Sequence, residues 1–326
     1  MTLPTIARRH PWMRLALPAL FALMLLAGFL PALFAKATGD TPAPTEKMTV
    51  LQAAILGVVE GVTEYLPVSS TGHMLLANQF LGIGKTPEEK TALEAYIIII
   101  QAGAILAVLF IYWGRVKKMA AGVFGKDADG RRLALNTLIA FLPAAVIGLL
   151  FNDRIKEWLF GTWPVVIALF VGGLAIIVFS RTPHGDGATP AGKALEAMTW
   201  KQAVGIGLLQ CIAMWPGTSR SLMTIVGGLV VGLSVAAAVE FSFLLGLVTL
   251  SAATLFDLVK GGREIVTQFG IVNPVIGFLV AGIAAFVSVK WMVGYLTRHS
   301  LAVFGWYRVA VAGIFIVLIL LGMLKV

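Results

Sequence analysis

The sequence predicts an all-α polytopic membrane protein made of two inverted repeats. Each repeat is a re-entrant helix–loop–helix plus three transmembrane helices, and an additional N-terminal hydrophobic segment precedes them. Three observations predict this fold. The 326 residues are 59% hydrophobic and 13% charged, with mean hydropathy +0.92, which excludes an ordinary soluble domain. Apolar runs long enough to cross a bilayer recur along the whole chain. One unusual interrupted design, an apolar half-helix broken by proline and followed by hydroxyl residues, occurs twice.

Residues 1–47 form the hydrophobic segment and a linker, and residues 48–326 the membrane domain, with repeats at about 48–180 and 201–326. Arg8, Arg9 and Arg14 precede the almost wholly apolar run Leu15 to Phe34. Ala35-Lys36-Ala37 is like a small-residue cleavage site, and Thr38 to Glu46 reads as a polar linker. The segment is a signal peptide or a retained extra helix, and its length favours the second. Its basic end stays in the cytoplasm in either case.

Gly57 to His73, GVVEGVTEYLPVSSTGH, holds two carboxylates, two serines, two threonines and a histidine in apolar surroundings. Ionisable groups at membrane depth are costly, so they mark a functional site by default. Glu60 and Glu64 share one helical face at a spacing of four. Pro67 stops that helix, and Ser69, Ser70 and Thr71 stand where a second half-helix begins, completed by Met74 to Leu81. The free N–H groups of a half-helix start suit an anion such as phosphate.

Spans are expected at Tyr96–Trp113, Leu133–Phe151, Pro164–Phe179 and roughly 236–256, 271–292 and 303–324. Arg115 to Arg132 carries six basic residues against Asp127 and Asp129 and is expected as a cytoplasmic connection. Ala203 to Gly232 repeats the first design: Pro216 aligns with Pro67, Ser219 with Ser70, and Gln210 with Glu60 at a one-residue offset. Three spans between the two re-entrant segments place them on opposite faces, as inversion requires. Arg220, in Pro216-Gly217-Thr218-Ser219-Arg220-Ser221, is the one arginine between Ala203 and Glu240. Its planar fork matches phosphate oxygens. Glu240 reads as a helix-packing carboxylate outside the site.

Other chemistry is excluded or weakened. The net charge of +9 comes mostly from basic residues in inter-helix connections, so it signals orientation and not nucleic-acid binding. The single cysteine, Cys211, rules out an intrachain disulfide and leaves too few thiols for a thiolate metal site. Of four histidines only His73 lies in a chemically crowded stretch.

The two motifs, Glu60 to His73 and Pro216 to Ser221, resemble those of the undecaprenyl-diphosphatase family, the bacitracin-resistance type of bacterial membrane phosphatase. Gln101–Val108, Pro143–Phe151, Glu240–Leu245 and Ala253–Lys260 support the likeness, which runs from about residue 48 to the C-terminus. Thr218 stands where family members often carry an aromatic residue. The resemblance implies hydrolysis of a polyprenyl diphosphate lipid, undecaprenyl diphosphate, to the monophosphate and inorganic phosphate. It also implies a divalent cation and a multi-pass protein of the bacterial cytoplasmic (inner) membrane whose site opens to the periplasm. Membrane lipids are the other partners, with room for a homodimer.

On that reading the candidate catalytic residues are Glu60, Glu64, Ser70, His73 and Arg220. Ser69, Thr71, Thr218, Ser219 and Ser221 are the candidate substrate-binding hydroxyls. Glu60 and Glu64 either hold Mg²⁺ or Ca²⁺ or share a proton. His73 is the candidate acid or base. Ser70 as nucleophile and a directly attacking water both remain open. The rival reading is a polyprenyl-phosphate transporter or flippase on the same architecture. The acid-phosphatase type of lipid phosphatase is excluded, because no histidine follows Arg220 at short range.

Overall fold

The computed structural model describes residues 48–182, 192–269 and 272–324; the N-terminal segment 1–47, with its choice between signal peptide and retained helix, lies outside them. Among the described residues there are eleven α-helices, one 3-10 turn and no β-strand beyond an isolated bridge between Lys193 and Leu233. In chain order they are α1 (Val50–Thr63), α2 (Ser70–Leu81), α3 (Pro87–Ile111), α4 (Trp113–Val123), α5 (Ala128–Leu159), α6 (Thr162–Phe179), α7 (Trp200–Ile212), α8 (Arg220–Val230), α9 (Val235–Phe269), α10 (Val272–Leu296) and α11 (Ala302–Leu320).

Six of these contain segments long and apolar enough to cross a bilayer: Glu89–Ile111, Ala128–Phe151, Thr162–Phe179, Val235–Leu255, Val272–Leu296 and Ala302–Leu320. They match the six expected spans within a few residues, except that the first and second begin earlier. Val50–Thr63 and Arg220–Val230 are apolar but too short to cross. That is the property of half-helices, and the six spans make the chain a multi-pass membrane protein.

The basic connection 115–132 is mostly helical, not a loop: α4 occupies it, and α5 starts at Ala128. Arg115 on α4 donates to Glu240 of α9 (2.5 Å) and to Glu196 (2.6 Å). The hydrogen bond from Arg115 holds the Glu196 carboxyl below the usual carboxylate range. Glu240 is thus engaged by Arg115, in keeping with a packing role outside the site.

The two hairpins, α1–α2 and α7–α8, are built alike. Thr49 caps α1 and Thr199 caps α7, each in a reciprocal capping box with Gln52 or Gln202. The same glutamine then donates across its hairpin, Gln52 Nε2 to Leu81 O (3.0 Å) and Gln202 Nε2 to Val231 O (2.6 Å). Each hairpin therefore returns to the side it started from. Ser69 (φ 73°) and Ser219 (φ 78°) are the two non-glycine residues with positive φ among those described. Each caps the second half-helix of its hairpin.

These equivalences share a constant spacing of 150 residues: Thr49 with Thr199, Gln52 with Gln202, Ser69 with Ser219. This corrects the register read from the sequence. Ser219 answers to Ser69, not Ser70; Gln210 answers to Glu60 with no offset; Gly217 answers to Pro67. Proline was a misleading anchor, since what the fold repeats is the backbone turn at the cap and not the residue that ends the first half-helix. Packing follows the same relation: α1 lies on α10 as α7 lies on α5, while α3 packs on α9 and α6 on α11. Gly57 and Gly207, equivalent at that spacing, each permit a close backbone approach. A Cβ at Gly57 would stand 2.6 Å from Gly277 O, and one at Gly207 2.5 Å from Ala140 O.

Candidate active site

The site grows from the end of α1. Glu60 lies in its last turn and Glu64 is its C-cap, whose N–H still bonds Glu60 O (2.9 Å), so the two carboxylates share a face as their spacing predicts. The chain then turns through Tyr65-Leu66-Pro67-Val68, and Ser69 enters the positive-φ region that launches α2. A non-glycine residue held there costs on the order of 1–3 kcal/mol, and such strain persists where surrounding structure enforces it. The Ser69 hydroxyl accepts from Gly72 N, and its carbonyl accepts from His73 Nδ1 (2.7 Å). The turn sets Ser70 facing Glu64: Ser70 Oγ donates to Glu64 Oε2 at 2.5 Å.

The second hairpin supplies the cation. Arg220, the first residue of α8, donates from Nη2 to Glu64 Oε1 (3.4 Å) and from Nη1 to Ser242 O (3.2 Å). Its guanidinium carbon also lies 5.5 Å from the centroid of the Tyr65 ring. Glu64, Ser70 and Arg220 therefore form one hydrogen-bonded cluster, drawn from both hairpins. Three buried polar atoms there have no hydrogen-bond partner among the described residues: Glu60 Oε1, the Tyr65 hydroxyl and Arg220 Nε. Buried polar atoms left without protein partners, an orphaned guanidinium N–H next to Glu64 among them, fit a site made to receive a charged ligand.

His73 is placed differently. Its Nδ1 donates to the Ser69 carbonyl, so Nε2 accepts from the Tyr307 hydroxyl (2.5 Å). The hydrogen bonds thus tie His73 to Tyr307 of α11 and not to Ser70 or a carboxylate, and any proton traffic through Nε2 passes by Tyr307. The other hydroxyls mostly brace backbone. Ser221 Oγ donates to Leu66 O (2.8 Å), so Ser219 is the donor in the 3.0 Å bond between Ser219 and Ser221. Ser219 Oγ also accepts from Leu222 N, capping α8 as Ser69 caps α2. Thr218 is buried and Thr71 is exposed at the start of α2.

Four contributors were not singled out from the sequence: Tyr65, Ser242, Tyr307 and Arg308. Arg308 carried a legible signal, an arginine inside an apolar span, the same signal that marked Arg220. Gly246 of α9 makes room for Arg220, since a Cβ there would stand 2.3 Å from Nη1. Gly246→Ala is expected to displace the guanidinium and lower turnover tenfold or more, about 1.4 kcal/mol or above, with the unfolding temperature little changed. Activity per mole of monodisperse protein, beside a thermal melt, checks it.

A family model described as "Bacitracin resistance protein BacA" matches residues 53–314. The chain is 46% identical over 265 residues to the undecaprenyl-diphosphatase of Sorangium cellulosum (strain So ce56), covering 80% of this chain and 84% of that protein. It is 45% identical over 261 residues to undecaprenyl-diphosphatase 2 of Rhodospirillum rubrum, covering 80% and 92%. With the undecaprenyl-diphosphatase of Nitrosospira multiformis it shares 42% identity over 276 residues, covering 85% and 97%. Both hairpins and all six spans fall at least in large part within the matched region, and the chain belongs to the bacitracin resistance protein BacA family.

Proposed function

We propose that this protein hydrolyses undecaprenyl diphosphate to undecaprenyl phosphate and inorganic phosphate, recycling the lipid carrier of cell-wall synthesis and conferring bacitracin resistance. The observation that carries the reading is the 2.5 Å hydrogen bond from Ser70 to Glu64, held beside Arg220, in a chain similar to proteins that bear that activity as their name. Phosphoryl transfer is mostly positioning and charge compensation. Arg220 offsets the diphosphate charge, and its unpaired Nε–H is available to a phosphate oxygen. Ser70 Oγ attacks the terminal phosphorus as its proton passes to Glu64. The bond from that phosphorus to the bridging oxygen breaks, and undecaprenyl phosphate leaves. Water then releases the phosphate from Ser70. The short bond to Glu64 favours this serine route over direct attack by water.

The donor set also fits a divalent cation such as Mg²⁺ or Ca²⁺. Glu60 Oε1 is buried and unpaired, and Glu64 is next to it on the same helical face. Among the described residues there is no group of three or more His, Cys, Asp and Glu able to hold a metal. A cation held by Glu60 and Glu64 would therefore complete its shell with water and substrate oxygens, as Mg²⁺ commonly does. It would supply neutralisation of phosphate charge. Phosphate release from undecaprenyl diphosphate and from short-chain isoprenyl diphosphates, with and without chelator, tests the function. Absence of release, together with movement of the lipid between leaflets, would favour the transporter reading.

The two halves read as inverted repeats: each hairpin closes on its own side, and three spans separate them. The basic stretch 115–132 supports a cytoplasmic position for α4, and with it an entrance of the first hairpin on the periplasmic side of the bacterial inner membrane. In a Cys211→Ser background, an impermeant thiol reagent is expected to label Lys85→Cys, and not Lys126→Cys, in cells with a permeabilised outer membrane. Both lysines are exposed. The reverse pattern overturns the orientation.

A further inference from the structure

Arg308 of α11 is wholly buried (0% exposed) and donates four hydrogen bonds, all to backbone carbonyls. Two go to α6, from Nε to Leu169 O (3.3 Å) and from Nη2 to Ala168 O (3.0 Å). The other two go to the hairpin tips, from Nη1 to Pro67 O (3.4 Å) and from Nη2 to Gly217 O (2.8 Å). Pro67 and Gly217 are equivalent positions at the 150-residue spacing, each two residues before its strained serine. One guanidinium thus grips the same carbonyl of both hairpins. Among the described residues no carboxylate is a hydrogen-bond partner of Arg308, so no salt bridge there accounts for its charge. The rigid fork is suited to this task, because its donors point in fixed directions that a flexible ammonium cannot reproduce. The adjacent Tyr307 holds His73 of the first hairpin.

We propose that Arg308 is a positioning residue that fixes the first hairpin, carrying Glu64 and Ser70, against the second, carrying Arg220, by binding the equivalent Pro67 and Gly217 carbonyls. It touches none of the reacting groups. It acts by keeping Arg220 within reach of the phosphate that Ser70 attacks, a geometric requirement to which turnover is steep. The kinetic part of the test rests on the proposed diphosphatase activity, and the distance part does not.

Arg308→Lys keeps the charge and loses the fork. It is expected to lower kcat about 10–100-fold while KM for undecaprenyl diphosphate changes less than about threefold, because the lipid's own contacts are untouched. In an Arg220→Lys background the same change is expected to cost less than about threefold, since the group being positioned is already compromised. Full additivity overturns the proposal, as does a loss confined to KM. Gly172→Ala gives a second approach: its Cβ would stand 2.3 Å from Arg308 Nη2 and displace the guanidinium without removing it. Spin labels on Thr71→Cys and Ile212→Cys, both exposed and on different hairpins, read the geometry directly. Their distance distribution is expected to broaden in either variant. An unchanged distribution in folded protein overturns the proposal whatever the substrate is, and so does failure of both variants to fold, which would leave Arg308 a folding role alone.

Discussion

Replacing Arg220 by lysine is expected to remove most of the turnover while leaving net charge and fold intact. Its guanidinium reaches three groups at once: Glu64, the Ser242 carbonyl and the face of Tyr65. Its Nε–H remains buried without a protein partner. A lysine ammonium can meet one of these demands but not the set, because it is a point charge on a flexible stem. Losing one charged hydrogen-bonding partner in a desolvated site costs about 2–5 kcal/mol, a rate drop of tens to thousands of fold. Arg220→Ala should lose nearly all activity, leaving Glu64 without its cation and the phosphate without its clamp. The measurement is phosphate release per mole of monodisperse protein. A folded, fully active Arg220→Lys protein would reduce Arg220 to a structural counter-ion.

The second large effect concerns the pair that meets in a 2.5 Å hydrogen bond, Ser70 and Glu64. If Glu64 receives the proton of Ser70, the two act as a unit, and unit-like residues are strongly non-additive. Ser70→Ala and Glu64→Gln are each expected to lower kcat about a thousandfold or more, and the double variant little further. Glutamine keeps the shape of Glu64 and can still contact Ser70, so its loss isolates the carboxylate's charge and basicity. Additive losses would show that the two side chains serve separate steps. Residual turnover of Ser70→Ala at near wild-type level would return the attack to water. Trapping of labelled phosphate on the protein by acid quench offers a direct check, expected in the wild type and absent in Ser70→Ala.

The amino-acid sequence alone makes the membrane class, the six spans and the two hairpins legible. It also marked Glu60, Glu64, Ser70, His73 and Arg220. The reason is local: spans declare themselves by apolar length, a half-helix end by proline and hydroxyl residues, and ionisable groups by their rarity in apolar runs. The shared face of Glu60 and Glu64 likewise followed from helical spacing alone. Which of these groups meet depends on how the helices pack. The bond from Arg220 to Glu64 spans 156 residues, from Tyr307 to His73 234, and from Arg308 to Pro67 241. No local periodicity encodes pairings at that separation. His73 could therefore be recognised as chemically equipped without being assigned its partner. The hydroxyls of Ser219 and Ser221 could be found without learning that they brace backbone. The repeat register went astray for a related reason: residue identity drew Pro216 onto Pro67, whereas the fold preserves the positive-φ cap at Ser69 and Ser219. A backbone conformation is set by the packing around it, and there the three-dimensional structure had the last word.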